Sequence, residues 1–184
     1  MSLTKTPICD FGKKAENFKL KSTDNKTISL NEIKGENGTL IMFICNHCPY
    51  VKAILTDIVN DTNALKNEGI NSVAIMSNDT KNYPDDSFDK MIEFSKKNKF
   101  NFPYLIDETQ EIAKKFGAVC TPDFFGYNKN LELQYRGRMK ELKDLKPINK
   151  GESDLFLAMK LISKTSVGPK NQIPSMGCNI KWFN

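Results

Sequence analysis

Thr39-Leu40-Ile41-Met42-Phe43-Ile44-Cys45-Asn46-His47-Cys48-Pro49-Tyr50-Val51 is the stretch that decides how this chain folds. Thr39 to Ile44 is a continuous apolar run, the pattern of a strand buried on both faces. From Val51 the apolar residues change to helical spacing. Val51, Ile54, Leu55, Ile58, Val59 and Leu65 share one side, and Gly69 stops the helix. Two cysteines stand at the junction. A thiolate at a helix N-terminus meets unpaired backbone N–H groups and the positive end of the helix dipole, which lower its pKa and keep it nucleophilic at neutral pH. Cys45 is expected to be that thiolate. Cys48 follows one turn later on the same side, near enough to close a disulfide, and Pro49 falls in the opening turn, where a missing N–H costs little.

Outward from this junction the same reading places the other elements. Phe18 to Leu30, broken by the turn-rich Ser22 to Lys26, reads as a hairpin. Ile70 to Met76 is a second buried strand and Ser87 to Asn98 an amphipathic helix. Pro103 to Ile106 is a short strand and Thr109 to Phe116 a short helix ended by Gly117. Asp123 to Tyr127 and Leu131 to Tyr135 form a strand pair, and Asp154 to Ser163 is the last helix. The alternation predicts an α/β fold of three layers, a central mixed β-sheet flanked by helices, with an N-terminal β-hairpin extension. The chain is expected to form a single domain over residues 1–184. Lys140 to Gly151 and the tail at 167–184 read as surface segments, the tail packing on or near the domain where it covers or edges the active site.

With 184 residues, 39% hydrophobic and 27% charged, the chain has the make-up of a folded domain rather than a disordered one. Its net charge of +5 is spread among acidic residues without a basic block, so nucleic acid is not an expected partner. Met1 to Asp10 lacks an apolar stretch long enough for a signal or a span. The expectation is therefore no membrane association and a cytoplasmic location, or a periplasmic one if a leader preceded Met1-Ser2-Leu3. Five cysteines, at 9, 45, 48, 120 and 178, are an odd and unevenly spaced set. That fits separate thiols plus one close pair better than a secreted disulfide framework.

His47 is the only histidine and lies inside the pair. A protonated imidazole there would favour the Cys45 thiolate and make the disulfide more oxidising, between roughly −230 and −120 mV rather than near thioredoxin's ~−270 mV. A lone CxxC is also half of a zinc site, but no second histidine or second CxxC completes one, so no metal is expected. Two structural cysteines are the other plain alternative, and the end of a strand opening into a helix is a poor place to bury them.

The strand–CxxC–helix unit followed downstream by Thr121-Pro122 resembles the thioredoxin superfamily. The N-terminal hairpin and the elements between Ile70 and Ile106 resemble its redoxin branch, the alkyl hydroperoxide reductase and thiol-specific antioxidant group. Cys45-Asn46-His47-Cys48-Pro49-Tyr50-Val51, Tyr135-Arg136-Gly137-Arg138 and Pro174-Ser175-Met176-Gly177-Cys178-Asn179-Ile180-Lys181-Trp182 together look like the peroxiredoxin-like subgroup of that branch. The resemblance implies that Cys45 attacks, that Cys48 resolves the mixed disulfide, and that His47, Asn46, Thr121 and Pro122 support them. It further implies a cis Pro122 beside Cys45, with the Thr121 backbone open to pair with a substrate peptide. No cofactor is implied. The implied partners are disulfide-containing proteins or small thiols, an electron donor or acceptor such as a thioredoxin system, and a second copy in a homodimer.

The chain departs from the peroxidase pattern. Gly38 and Met42 stand where the peroxidases carry proline and a hydroxyl residue, and Arg136 and Arg138 lie beyond the usual arginine position. The strand before Cys45 also lacks the thioredoxin carboxylate. Cys120, next to Thr121-Pro122, is either a third redox thiol or a small apolar filler. Cys178 is either a resolving thiol carried by the tail or structural packing, and Cys9 is incidental. The expected function is thiol–disulfide oxidoreductase. A thiol peroxidase using Cys45 and a redox-inert binding module are the alternatives.

Overall fold

A computed structural model describes residues 3–7, 10–148 and 151–183. Cys9 lies outside them. In chain order the elements begin with strands β1 (Leu3–Lys5), β2 (Lys19–Ser22) and β3 (Thr27–Ser29), helix α1 (Leu30–Ile33) and strand β4 (Gly38–Phe43). Helices α2 (Pro49–Ala53) and α3 (Leu55–Asn67), strand β5 (Ile70–Met76), a single 3₁₀ turn at Pro84–Asp86, helix α4 (Phe88–Lys97), strand β6 (Tyr104–Ile106) and helix α5 (Glu111–Phe116) follow. The remainder is β7 (Cys120–Thr121), β8 (Asp123–Asn128), β9 (Leu133–Tyr135), the pair β10 (Leu142–Lys143) and β11 (Lys146–Pro147), α6 (Asp154–Thr165) and β12 (Met176–Asn179).

Seven strands form the central sheet in the order β3-β2-β6-β5-β4-β8-β9. β4 is parallel to β5, and β5 to β6, whereas β8 runs antiparallel to β4, so the sheet is mixed as its sequence implied. β4 lies inside the sheet and is buried along its whole length. Its side chains alternate between two cores. Leu40 and Met42 face α2, α3, α4 and α6, through Val51, Ile58, Leu65, Met91 and Met159. Ile41 and Phe43 face α1 and α5, through Leu30, Ile33, Ile112 and Phe116. Each such apolar side chain contributes about 1.5–3 kcal/mol on burial, and truncating Ile41 to alanine would cost about 2–5 kcal/mol. This clamping makes the C-terminal end of β4 a rigid platform for the cysteines.

Three features differ from the sequence reading. The helix expected from Val51 to Leu65 is two helices joined at Ile54, whose backbone leaves the helical region (φ −115°, ψ 9°) although neither proline nor glycine marks the break. Lys140 to Gly151 contains the short hairpin of β10 and β11. The tail contributes β12, the middle strand of a second, antiparallel sheet, β1-β12-β7.

Candidate active site

β4 ends at Phe43, and the chain crosses Ile44 to Cys48 before α2 begins at Pro49. Cys48, not Cys45, is therefore the residue that caps the helix. Cys45 lies one step back in the loop. Both side chains are buried, at 1% and 0% exposure, so the strand end is a closed site rather than the open one expected from sequence. Helices on one side and the tail on the other supply the cover. The two thiols interact directly with each other.

Their surroundings differ. Cys45 Sγ lies 3.4 Å from Thr121 Oγ1 and 3.9 Å from His47 Nδ1. His47 in turn is held by Asp86, with Nδ1 2.7 Å from the carboxylate Oδ2, and its ring stacks on Tyr83. The carboxylate also accepts from the backbone N–H of Asn46 (2.8 Å) and from Asn78 Nδ2 (2.8 Å). Asn46 itself donates to the Asp85 carbonyl and accepts from the Tyr104 hydroxyl. The turn at Pro84–Asp86 thus pins the loop between the cysteines. Asp86 raises the His47 pKa, because the ion pair favours the imidazolium despite burial, and His47 and Asn78 hold the Asp86 carboxyl low.

The expected effect of His47 on Cys45 is corrected by this pairing. The imidazolium is paired with Asp86, and the Cys48 interaction first, then burial and the Asp86 charge, push Cys45 well above its ordinary value. Cys48 is pulled down to about 5, first by Cys45 and then, against burial, by Thr121 and by the backbone N–H groups of Val51 and Cys178. One contact acts the other way: Cys48 Sγ lies 3.0 Å from the Thr121 carbonyl, which accepts only from a protonated thiol. The sulfurs therefore titrate as a unit. Of the two, Cys48 is the more readily ionised.

Asp86 is the functional residue that sequence reasoning missed. A buried carboxylate reaches the motif from 40 residues beyond Asn46, at Asp86, on the His47 and Cys45 side of the pair. Pro84-Asp85-Asp86-Ser87 has the look of an ordinary helix start, which hides the second role. Cys45 Sγ, His47 Nδ1 and an Asp86 oxygen also lie within 4.8 Å of one another, a grouping of three metal-donor types. The 2.7 Å His47–Asp86 separation is that of a hydrogen bond, shorter than the ~3.3 Å that two tetrahedral zinc ligands keep, so a metal would have to break that pair.

The Thr121–Pro122 peptide bond is cis. The backbone edge expected to receive a substrate peptide is occupied by the chain's own tail. Cys178 pairs with Thr121 and Asn179 with Cys120, Ser175 Oγ donates to the Pro122 carbonyl (2.8 Å), and Ile180 N–H donates to Val119 O (3.1 Å). Cys178 is buried with its thiol against Cys48. The Cys120 thiol points instead at the Pro122 carbonyl, and burial drives its pKa up. Met42 fills the core of one sheet face, where a peroxidase would carry its hydroxyl. Arg136 is engaged by Asp123 (2.9 Å) and the Gly117 carbonyl, and Arg138 by Asp154 and Glu141.

The AhpC/TSA family model matches residues 11–141. The chain belongs to the AhpC/TSA family. It is similar to an uncharacterized conserved protein from Geobacillus kaustophilus, at 37% identity over 100% of this chain and 97% of that one, with a TM-score of 0.91. It is similar to a hypothetical protein from Sinorhizobium meliloti 1021, at 33% identity over 98% of each chain and a TM-score of 0.90. The thioredoxin domain of a thiol-disulfide oxidoreductase from Bacteroides vulgatus shares the fold at 14% identity (70% of this chain, 89% of that one, TM-score 0.60). No curated protein matches the sequence. Within this redoxin family the expected thioredoxin-like fold is thus found, and among the described residues no helix is long and apolar enough to cross a membrane.

Proposed function

We propose that this protein is a thiol–disulfide oxidoreductase whose Cys45–Cys48 pair cycles between dithiol and disulfide. The observation that carries the reading is the convergence of both buried sulfurs on Thr121, Cys45 on its hydroxyl at 3.4 Å and Cys48 on its carbonyl at 3.0 Å. Cys45 is assigned the attack because its loop neighbours Asn46 and His47 line a depression of about 510 Å³, together with Lys52, Leu55, Asp85 and Phe94. Cys48 lies under the tail. When a disulfide R–S–S–R approaches, the shared proton passes to Cys48, whose S–H has the Thr121 carbonyl as acceptor. The Cys45 thiolate attacks one sulfur and the other leaves as RS⁻. Cys48 then gives its proton to that thiolate and attacks Cys45, releasing the second RS⁻. With the Thr121 edge covered, low-molecular-weight disulfides fit the site better than extended peptides. A thioredoxin-type dithiol is the chemical class of reductant that would restore the pair.

A peroxidase is the second reading, favoured by membership of the family that contains those enzymes. Met42 at the position where the peroxidases carry a hydroxyl residue, and the engagement of the Arg136 guanidinium by Asp123, weigh against it.

The test is a redox titration against glutathione buffers, read by mass after alkylation. A reversible Cys45–Cys48 disulfide with a potential more oxidising than ~−270 mV is expected. The reading fails if no such disulfide forms while peroxide still converts Cys45 to a sulfenic acid far faster than it oxidises an ordinary thiol.

A further inference from the structure

The tail is seated on the cis-proline strand by several independent fits. Ser175 bonds Pro122, and Cys178 lies in register with Thr121. Beyond it, Lys181 N–H donates to Asn78 Oδ1 (2.9 Å), and Asn78 is the residue that holds the Asp86 carboxylate. Between them Gly177 lies flush on the backbone. A Cβ there would overlap the Thr121 carbonyl oxygen and stand 2.7 Å from its carbon and 3.1 Å from Pro122 Cδ. Only a residue without a side chain brings the tail this close. Helix α2, which opens at Cys48, packs against the same strand. The closeness sets Cys178 beside Cys48, with its backbone N–H directed at the Cys48 sulfur.

We propose that Cys178 is a third redox thiol, and that the tail is a resident occupant of the peptide edge which takes the disulfide from Cys45–Cys48 onto Cys48–Cys178. The step rests on the oxidoreductase reading above. The Cys178 sulfur attacks Cys48 Sγ, the Cys45–Cys48 bond breaks, and the Cys48–Cys178 bond forms. The proton lost by Cys178 ends on Cys45, so no further oxidant or reductant is consumed. The exchange returns Cys45 to its reduced state while the oxidising equivalent is held under the tail.

Two features gate the step. In the dithiol state Cys178 is held up at about 12, by burial, then by its contact with the Cys48 sulfur and by the Cys48 charge. Oxidation of Cys48 removes that charge and leaves burial alone opposing ionisation, at the moment when Cys178 has a disulfide to attack. Thiol exchange also needs the attacking sulfur to have access to the one attacked, and the register that sets Cys178 opposite Thr121 brings its thiol against Cys48.

The experiment treats the full chain with oxidised glutathione, blocks remaining thiols, and maps disulfides by peptide mass. In Cys45→Ser, Cys48 should attack glutathione disulfide and Cys178 should displace the glutathione, leaving a Cys48–Cys178 disulfide. Adding Gly177→Ala to that variant should slow its formation several-fold by lifting the tail. In wild-type protein the Cys45–Cys48 link should form first and the Cys48–Cys178 link accumulate after it. If Cys45→Ser, with an unchanged circular dichroism spectrum, stays glutathionylated at Cys48 while Cys178 is alkylated, the relay is overturned and the Cys45–Cys48 reading stands. If wild-type protein forms no Cys45–Cys48 disulfide at all, the oxidoreductase reading falls and this inference falls with it.

Discussion

Cys45 and Cys48 belong to one four-residue motif and are equally shut off from solvent, yet opposite forces act on them. On the Cys45 side the neighbours are side chains that carry charge: His47, and behind it Asp86. On the Cys48 side they are uncharged: the Thr121 side chain, and the backbone dipoles of the Val51 N–H at the start of α2, the Cys178 N–H from the tail and the Thr121 carbonyl. Side-chain charges titrate, and they can be removed singly. Backbone dipoles do neither and depend on how the chain is laid down. The difference separates two kinds of control over one redox pair, a network that answers to pH and a seat that answers to the position of the tail.

The most disruptive way to break the comparison is at Asp86. Asp86→Ala leaves the Asn46 N–H, His47 and Asn78 without their buried acceptor and should cost about 3–5 kcal/mol of stability, read from the urea midpoint. Asp86→Asn should recover part of that loss while still removing the charge that opposes Cys45 ionisation. An alanine variant as stable as wild type would mean that the network does not hold the loop.

The other side is broken at Gly177, where Gly177→Ala should cost about 1–3 kcal/mol through overlap with Thr121. It should also speed alkylation of Cys48, now under a loosened strand. An unchanged melting temperature together with unchanged alkylation would show that the tail does not seat on Thr121.

Cys45→Ser sharpens the comparison. It removes the first cause of the low Cys48 pKa, so the midpoint of thiolate ultraviolet absorbance should climb from about 5 toward the ordinary 9.0. Each unit of that climb corresponds to about 1.4 kcal/mol. A midpoint that stays at about 5 would assign the effect to Thr121 and the backbone donors.

The smallest effect is on stability against pH. The His47 pKa is raised in the folded state, so its contribution is present below its ordinary 6.5 and is lost as pH climbs through the folded value. The Asp86 pKa is lowered, so its contribution is present above its ordinary 3.8 and is lost as pH falls through the folded value. The pair therefore stabilises most between about 3.8 and 6.5. A melting temperature that shows the same pH profile in wild type and His47→Gln would remove the pair from the account.

The sequence by itself determined the sheet and the place of the chemistry. Thr39 to Ile44 is apolar on both faces because β4 has a core on each side, and Ile70 to Met76 was legible as β5 for the same reason. The Cys45–Cys48 spacing located the thiols, since residues that close in sequence are close in any fold. What only the tertiary structure decided depends on contacts between distant segments. Asp86 reaches the motif from a turn after β5, and periodicity carries no sign of it. The tail looked like a surface segment because its residues lack helical or alternating pattern, but β12 is held mainly by backbone hydrogen bonds to β1 and β7, which any sequence can make. The helix expected to begin at Cys45 begins after Cys48, and that shift places the dipole under the second cysteine rather than the first. Local pattern records which residues seek the core, whereas the charge and the backbone donors that reach a buried sulfur are set by which distant segments the fold brings beside it.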